Sequence, residues 1–192
     1  MNTPAFGEKF LEELTKVPME LLRTAAVLRS FDLPFLQAVH GRTRCTYEDY
    51  ADLTALSFVG KTGLPGQWYV HEPVQHSLRW NFWQDDYVGY RKVCQAAYLA
   101  AYVDYVAEGA QAGISYWNRK IDAAYYHLAG DPEQGPDYYI DTADLLGDRT
   151  DHLEALFWAG RDHMLAGRII GMEGRRAVQH CRQLLVDRRF PL

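Results

Sequence analysis

The chain has 192 residues, 48% of them hydrophobic, and a net charge of −5 from 20 basic and 25 acidic side chains. This is length for one large domain or two small ones, with roughly 70% of the unfolded surface buried on folding. Eight Phe, five Trp and thirteen Tyr exclude an intrinsically disordered acidic chain. The longest small or apolar run, residues 96–103, is far short of the ~20 residues that span a bilayer.

Charge is unevenly distributed. Residues 72–160 hold six basic and fourteen acidic side chains, whereas residues 161–192 hold seven arginines against three acids. A basic C-terminal helix on an acidic body is expected, either as a solvated face or as a surface that steers a partner. Residues 1–30 carry Glu8, Lys9, Glu12, Glu13 and Lys16 and contain no apolar signal-peptide core. Cys45, Cys94 and Cys181 are widely separated and form no C-x-x-C pair. That usage fits reduced thiols and a cytoplasmic protein.

In chain order, Pro18 suits a first helical turn, and Leu21, Leu22, Ala25 and Leu28 behind it share one face. Asp32-Leu33-Pro34 reads as a cap with a proline in the first turn, opening a short helix that stops at His40-Gly41. Thr46, with Asp49 three residues on, spells a capping box and starts a third helix through Leu56. Ser57-Phe58-Val59 and Gln67-Trp68-Tyr69-Val70 are β-prone runs around a glycine-rich tip at 60–66, which predicts a hairpin. Three helices closed by a hairpin is a winged-helix arrangement, expected at 15–71 behind a leader of residues 1–14.

From residue 72 every periodic segment is helical. Pro73 opens a helix to about Gln84. Tyr87, Tyr90, Cys94, Tyr98, Ala101 and Tyr105 mark a long one to about Ala107. Ile121, Ala124, Tyr125 and Leu128 repeat the pattern up to Gly130-Asp131-Pro132, and a short helix covers 137–146. Leu153, Leu156, Phe157, Gly160 and Met164 define the next, and Ala177, Cys181, Leu184 and Leu185 the last. The fold class is mainly α: a winged helix, then an antiparallel helical array over 72–192 with a hinge near Glu72. Trp158-Ala159-Gly160 and Ala177 echo a tetratricopeptide consensus, but no second copy follows at the repeat length of about 34 residues. Tyr125 and Tyr126, and Tyr138 and Tyr139, are adjacent. One of each pair is expected to face outward, as a candidate contact residue on a binding surface.

No motif for catalysis emerges. Gly60-Lys61-Thr62 resembles the end of a P-loop, but Ala55 stands where that motif needs glycine, and Gly63-Leu64-Pro65-Gly66 cannot begin a helix. His71 and His76 are five apart with Pro73 between them, unlike the four-residue spacing of a zincin helix. His152 and His163 are three turns apart, about 16 Å. No serine lies in a G-x-S-x-G context, and Cys181 meets His180 in sequence only. The chain is therefore read as non-catalytic and free of metal. The helix expected to read DNA, 47–56, carries Glu48, Asp49 and Asp52 and no cation. Such a helix is repelled by phosphate, although Arg42 and Arg44 precede it.

The segments Leu21-Leu22-Arg23-Thr24-Ala25-Ala26-Val27-Leu28, Phe31-Asp32-Leu33-Pro34-Phe35-Leu36, Tyr50-Ala51-Asp52-Leu53-Thr54-Ala55-Leu56-Ser57-Phe58-Val59 and Trp68-Tyr69-Val70-His71-Glu72-Pro73-Val74-Gln75 together carry a resemblance. They resemble the winged-helix module of signal-transduction ATPases with numerous domains, the NB-ARC-like class. Ala123-Ala124-Tyr125-Tyr126-His127-Leu128 is similar to a helix that follows in bacterial members. In that family a Met-His-Asp-like motif ends the strand leaving the wing, and its histidine contacts the β-phosphate of ADP on the ATPase domain.

Here the match is Val70-His71-Glu72, so the resemblance implies His71 as the cofactor-contacting residue, with ADP or ATP held by a parent protein rather than by this chain. A charge-assisted imidazole–phosphate bond is worth roughly 1.5–3 kcal/mol, which biases two nucleotide states roughly ten- to a hundred-fold. The P-loop, Walker B acids and lid of the family are absent from these residues. The expectation is a regulatory fragment that partners the ATPase domain of its parent and a protein bound by the helical domain. The alternatives are a winged-helix transcription regulator with a helical dimerisation or ligand domain, and a helical protein-binding scaffold.

Overall fold

The computed structural model describes residues 12–108, 114–165 and 170–189. Residues 1–11 of the expected leader, and Arg168 of the basic tail, lie outside the described residues. The protein is mainly helical, and the described residues include one small antiparallel sheet of two strands. No helix among the described residues is long and apolar enough to cross a membrane. The chain divides into two compact units, residues 1–93 and 94–192.

The first unit contains α1 (Met19–Val27), α2 (Leu33–His40), α3 (Tyr47–Thr54), β1 (Val59–Lys61), β2 (Trp68–Val70) and α4 (Glu72–Asp85). Leu21, Leu22, Ala25, Ala26 and Leu28 are fully buried, so the apolar face of α1 forms the floor of this unit's core. The Asp32 carboxylate accepts the Phe35 N–H at 2.8 Å to start α2, and Gly41 at φ +100° ends it in a conformation that favours glycine. Both halves of the Thr46–Asp49 capping box form at the head of α3. The backbone N–H and hydroxyl of Thr46 hold the Asp49 carboxyl below the ordinary carboxylate range.

The hairpin begins two residues later than its β-prone run. Ser57 gives its N–H and hydroxyl to the Glu13 carboxylate at 2.9 and 2.7 Å, and the Val59 N–H turns back to Leu56 O at 3.0 Å. These donors are therefore lost to the ladder, which pairs Val59 with Val70, Gly60 with Tyr69 and Lys61 with Trp68. Gly60 and Lys61 belong to the strand, not to the tip. The tip closes through Thr62 N–H to Gln67 O at 2.9 Å, with Gly66 at φ +74°. On its other edge β2 exchanges two 2.8 Å hydrogen bonds with Phe31.

The division between units differs from the hinge expected near Glu72, because α4 packs on α1. Gln75 Nε2 donates to Leu28 O at 2.8 Å, just beyond the end of α1. Arg23 pairs with Asp85 at 2.7 Å and lies 5.3 Å over the Phe82 ring. These contacts place α4 in the first unit.

The helix α5 (Tyr87–Glu108) contains the boundary between the units. The second unit continues with α6 (Ile114–Gly130), α7 (Gly135–Leu146), α8 (Thr150–Leu165) and α9 (Met172–Arg189). Ile121, Ala124, Leu128, Tyr139, Ala143, Leu146, Leu153, Leu156, Val178 and Cys181 share one core. Short turns at 131–134 and 147–149 join successive helices; Asp131 Oδ1 accepts the N–H groups of Glu133 and Gln134 in the first.

Tyr125 and Tyr126 are both 1% exposed, which corrects the expectation that one of them faces outward. The reason is that α6 is covered on several sides, and one buried face does not limit it. Tyr125 stacks on His163 of α8 at 4.1 Å, and His127 stacks on Tyr98 of α5 at 3.9 Å. The Tyr139 hydroxyl is buried and donates to Leu156 O at 2.6 Å, while Tyr138 stays half-buried.

Three outcomes test this packing. A Cβ at Gly160 would meet the Tyr139 hydroxyl and lie 2.7 Å from Val178 Cγ2, so Gly160→Ala should cost roughly 1–3 kcal/mol in urea denaturation. Thr46→Ala, which removes the α3 cap, should cost about 1 kcal/mol. Burial lowers the pKa of His40 and of His127 from 6.5. The unfolded chain then binds protons more readily than the folded one as pH falls through that value. The share of stability set by these two histidines should be full above pH 6.5 and decline as the pH drops below it, read as a falling melting temperature.

Candidate functional site

His71 stands where β2 becomes α4. Its N–H donates to Phe58 O at 2.8 Å, and its carbonyl accepts the N–H groups of Val74 and Gln75 at 3.0 and 2.9 Å. The residue is thus the N-cap of α4, but its side chain makes no capping bond. Pro73 in the first turn has no N–H to be satisfied.

Strand alternation fixes the direction of the ring. Val70 points inward and is 1% exposed, whereas Tyr69 and His71 share the outer face. The two rings lie 5.4 Å apart at 35°. Across the ladder, Gly60 leaves the space that the imidazole uses: a Cβ there would be 2.7 Å from His71 Nε2 and 3.1 Å from Tyr69 Cε1. The imidazole is half-buried and has no hydrogen-bond partner among the described residues. It is held in place by packing against Tyr69 and over Gly60. Glu72 beside it is exposed, and Lys61 on the neighbouring strand holds its ammonium 5.1 Å over the Trp68 ring.

The sequence marks out His71 but assigns Gly60 to the loop tip, whereas the residue lies in β1. The readable signal was the register: Gly60 faces Tyr69, two residues before His71, on one surface of the sheet. The Gly60-Lys61-Thr62 triplet runs from strand into turn, and the Leu64 N–H is taken by Thr62 Oγ1 at 3.1 Å.

The other histidines and cysteines are dispersed among the described residues. His163 is buried with Nε2 3.0 Å from Tyr125 O, while His152 lies 6.2 Å from Trp117. Cys181 is buried, which pushes its thiol up to about 12, and neighbouring His180 contacts Asp144 at 2.8 Å. Among the described residues, no group of three or more His, Cys, Asp or Glu side chains is placed to hold a metal ion. On α3, Glu48 and Asp52 are exposed, as are Arg42 and Arg44 in the turn before it.

Comparison with protein-family models, with curated protein sequences and with solved structures gives no match to this chain.

The dependence of His71 on Gly60 is directly testable. Gly60→Ala should force the imidazole off its position over the strand at a stability cost of about 1 kcal/mol. The His71 ring resonances should then move away from their Tyr69-shifted positions in NMR spectra. Unchanged ring resonances in that variant would contradict the packing described.

Proposed function

We propose that this chain is the non-catalytic regulatory part of a signal-transduction ATPase with numerous domains. In this reading, residues 15–71 are its winged helix, and the following helices form a tetratricopeptide-like arm that passes the nucleotide state to a sensor or effector by protein–protein contact. The observation that carries it is the imidazole of His71, positioned by Gly60 and Tyr69 at the strand-to-helix junction with its hydrogen-bonding capacity unused. An N–H offered from a fixed position suits a phosphate oxygen, because a charge-assisted bond made in one nucleotide state and not the other biases the equilibrium between them. The order of three helices and a hairpin, with β2 bridged to Phe31, is consistent with a winged helix.

ADP and ATP belong to the ATPase domain of the parent protein, and the chain alone turns over neither. A DNA-binding transcription regulator is the competing reading. The exposed Glu48 and Asp52 of α3 count against it, since phosphate contacts need cations on that face.

The test compares wild type with His71→Ala in a protein that joins this chain to its ATPase domain. ADP affinity should fall roughly ten- to a hundred-fold while ATP affinity stays within about twofold, as read by calorimetry. Equal ADP affinity in the two proteins, or ATP hydrolysis by the 192-residue chain alone, would overturn the proposal.

A further inference from the structure

The second unit holds a group of donors for which it supplies few acceptors. Lys120 of α6 is only 8% exposed. Its Nζ donates to Tyr138 Oη at 2.9 Å and lies 4.0 Å from the centroid of the Tyr138 ring and 5.0 Å from that of Tyr105. Burial lowers the pKa of this ammonium, opposed by the charge of Asp141. Among the described residues no carboxylate lies within ion-pair distance of Nζ. An ammonium has three N–H donors, and the Tyr138 hydroxyl uses one of them.

His127 lies seven residues further along α6, two turns away on the same face. Its ring stacks on Tyr98 at 3.9 Å and stands 5.3 Å from Tyr138. Nδ1 is buried without a hydrogen-bond partner, and Nε2 is 3.8 Å from Asp131 Oδ2, beyond hydrogen-bond reach. The Tyr138 hydroxyl accepts from Lys120 and donates to no acceptor among the described residues. Tyr102, 5.8 Å from Tyr98 and 6.1 Å from Tyr105, is 39% exposed, so the group borders solvent.

We propose that this cluster binds a small oxyanion, a carboxylate or a phosphate. Its charged oxygen pairs with Lys120 Nζ and accepts the Tyr138 O–H, and His127 stands 5.3 Å from the same ring. A buried ammonium is costly unless a counter-ion meets it. The ring faces of Tyr105 and Tyr138 offset part of that cost, and an arriving anion offsets the rest. The proposal is independent of the nucleotide reading of the first unit, since none of its residues belongs to that unit.

The test is thermal melting of the whole chain with inorganic phosphate or with benzoate, against chloride at equal ionic strength. At ten times its dissociation constant, a bound anion should raise the melting temperature by about 3–5 °C. The two anions separate a phosphate site from a carboxylate site. Lys120→Met, which retains length and apolar bulk, should abolish the rise. An equal rise in Lys120→Met overturns the proposal, as does no rise with either anion up to about 50 mM, where affinity is negligible. If that variant does not fold, lysine-labelled wild type decides: the Lys120 side-chain resonance should shift on titration while those of Lys61 and Lys92 stay, and a stationary Lys120 signal overturns the site.

Discussion

The backbone of one residue, His71, ties the hairpin to the helix that follows it. Its N–H completes the ladder at Phe58 and its carbonyl receives the first N–H groups of α4. Because one peptide segment serves both elements, the start of α4 is fixed relative to the sheet. Gln75 and Asp85 can then reach Leu28 and Arg23 on the α1 side. The same arrangement frees the imidazole. Helix entry is satisfied by main chain and by Pro73, so the side chain has no structural hydrogen bond to make. A polar group that the fold positions but does not use is the feature on which the functional proposal stands.

The second unit depends on a different constraint, the burial of α6 on several sides. Ala123, Ala124 and Ala129 are small enough for neighbouring helices to come close, and Tyr125, Tyr126 and His127 fill the remaining directions. A helix so enclosed carries its polar residues into low-dielectric surroundings. Burial therefore lowers the pKa of both Lys120 and His127 and raises those of Tyr98, Tyr138 and Tyr105, the last to about 12. Packing and electrostatics are here two consequences of one arrangement.

Much of the helical architecture was legible in the sequence, because it is written in local chemistry. Asp32, the Thr46–Asp49 pair and Gly41 act within their own turns, and the structure places each where the residue type demands. The features that were not legible depend on partners distant in sequence. Ser57 leaves the strand because Glu13, forty-four positions away, takes its donors. Tyr126 is buried although periodicity assigns α6 one apolar face. The site followed the same rule. His71 was recognisable from its neighbours in sequence, whereas Gly60 acquires its role only through the register of the hairpin. The Lys120 cluster is assembled from three helices, with His127 seven residues from Lys120, and no short motif marks it.

The central claim is that the His71 imidazole is a contact for phosphate. Its most direct measurement is 15N NMR of the histidine ring in protein that carries this chain and its ATPase domain, loaded with ADP and then with ATP. The account predicts a ring N–H of His71 hydrogen-bonded to phosphate, seen as a coupling to 31P, in the ADP state and its loss in the ATP state. A His71 ring whose nitrogen signals are identical in the two states, with no coupling to phosphorus, would contradict it.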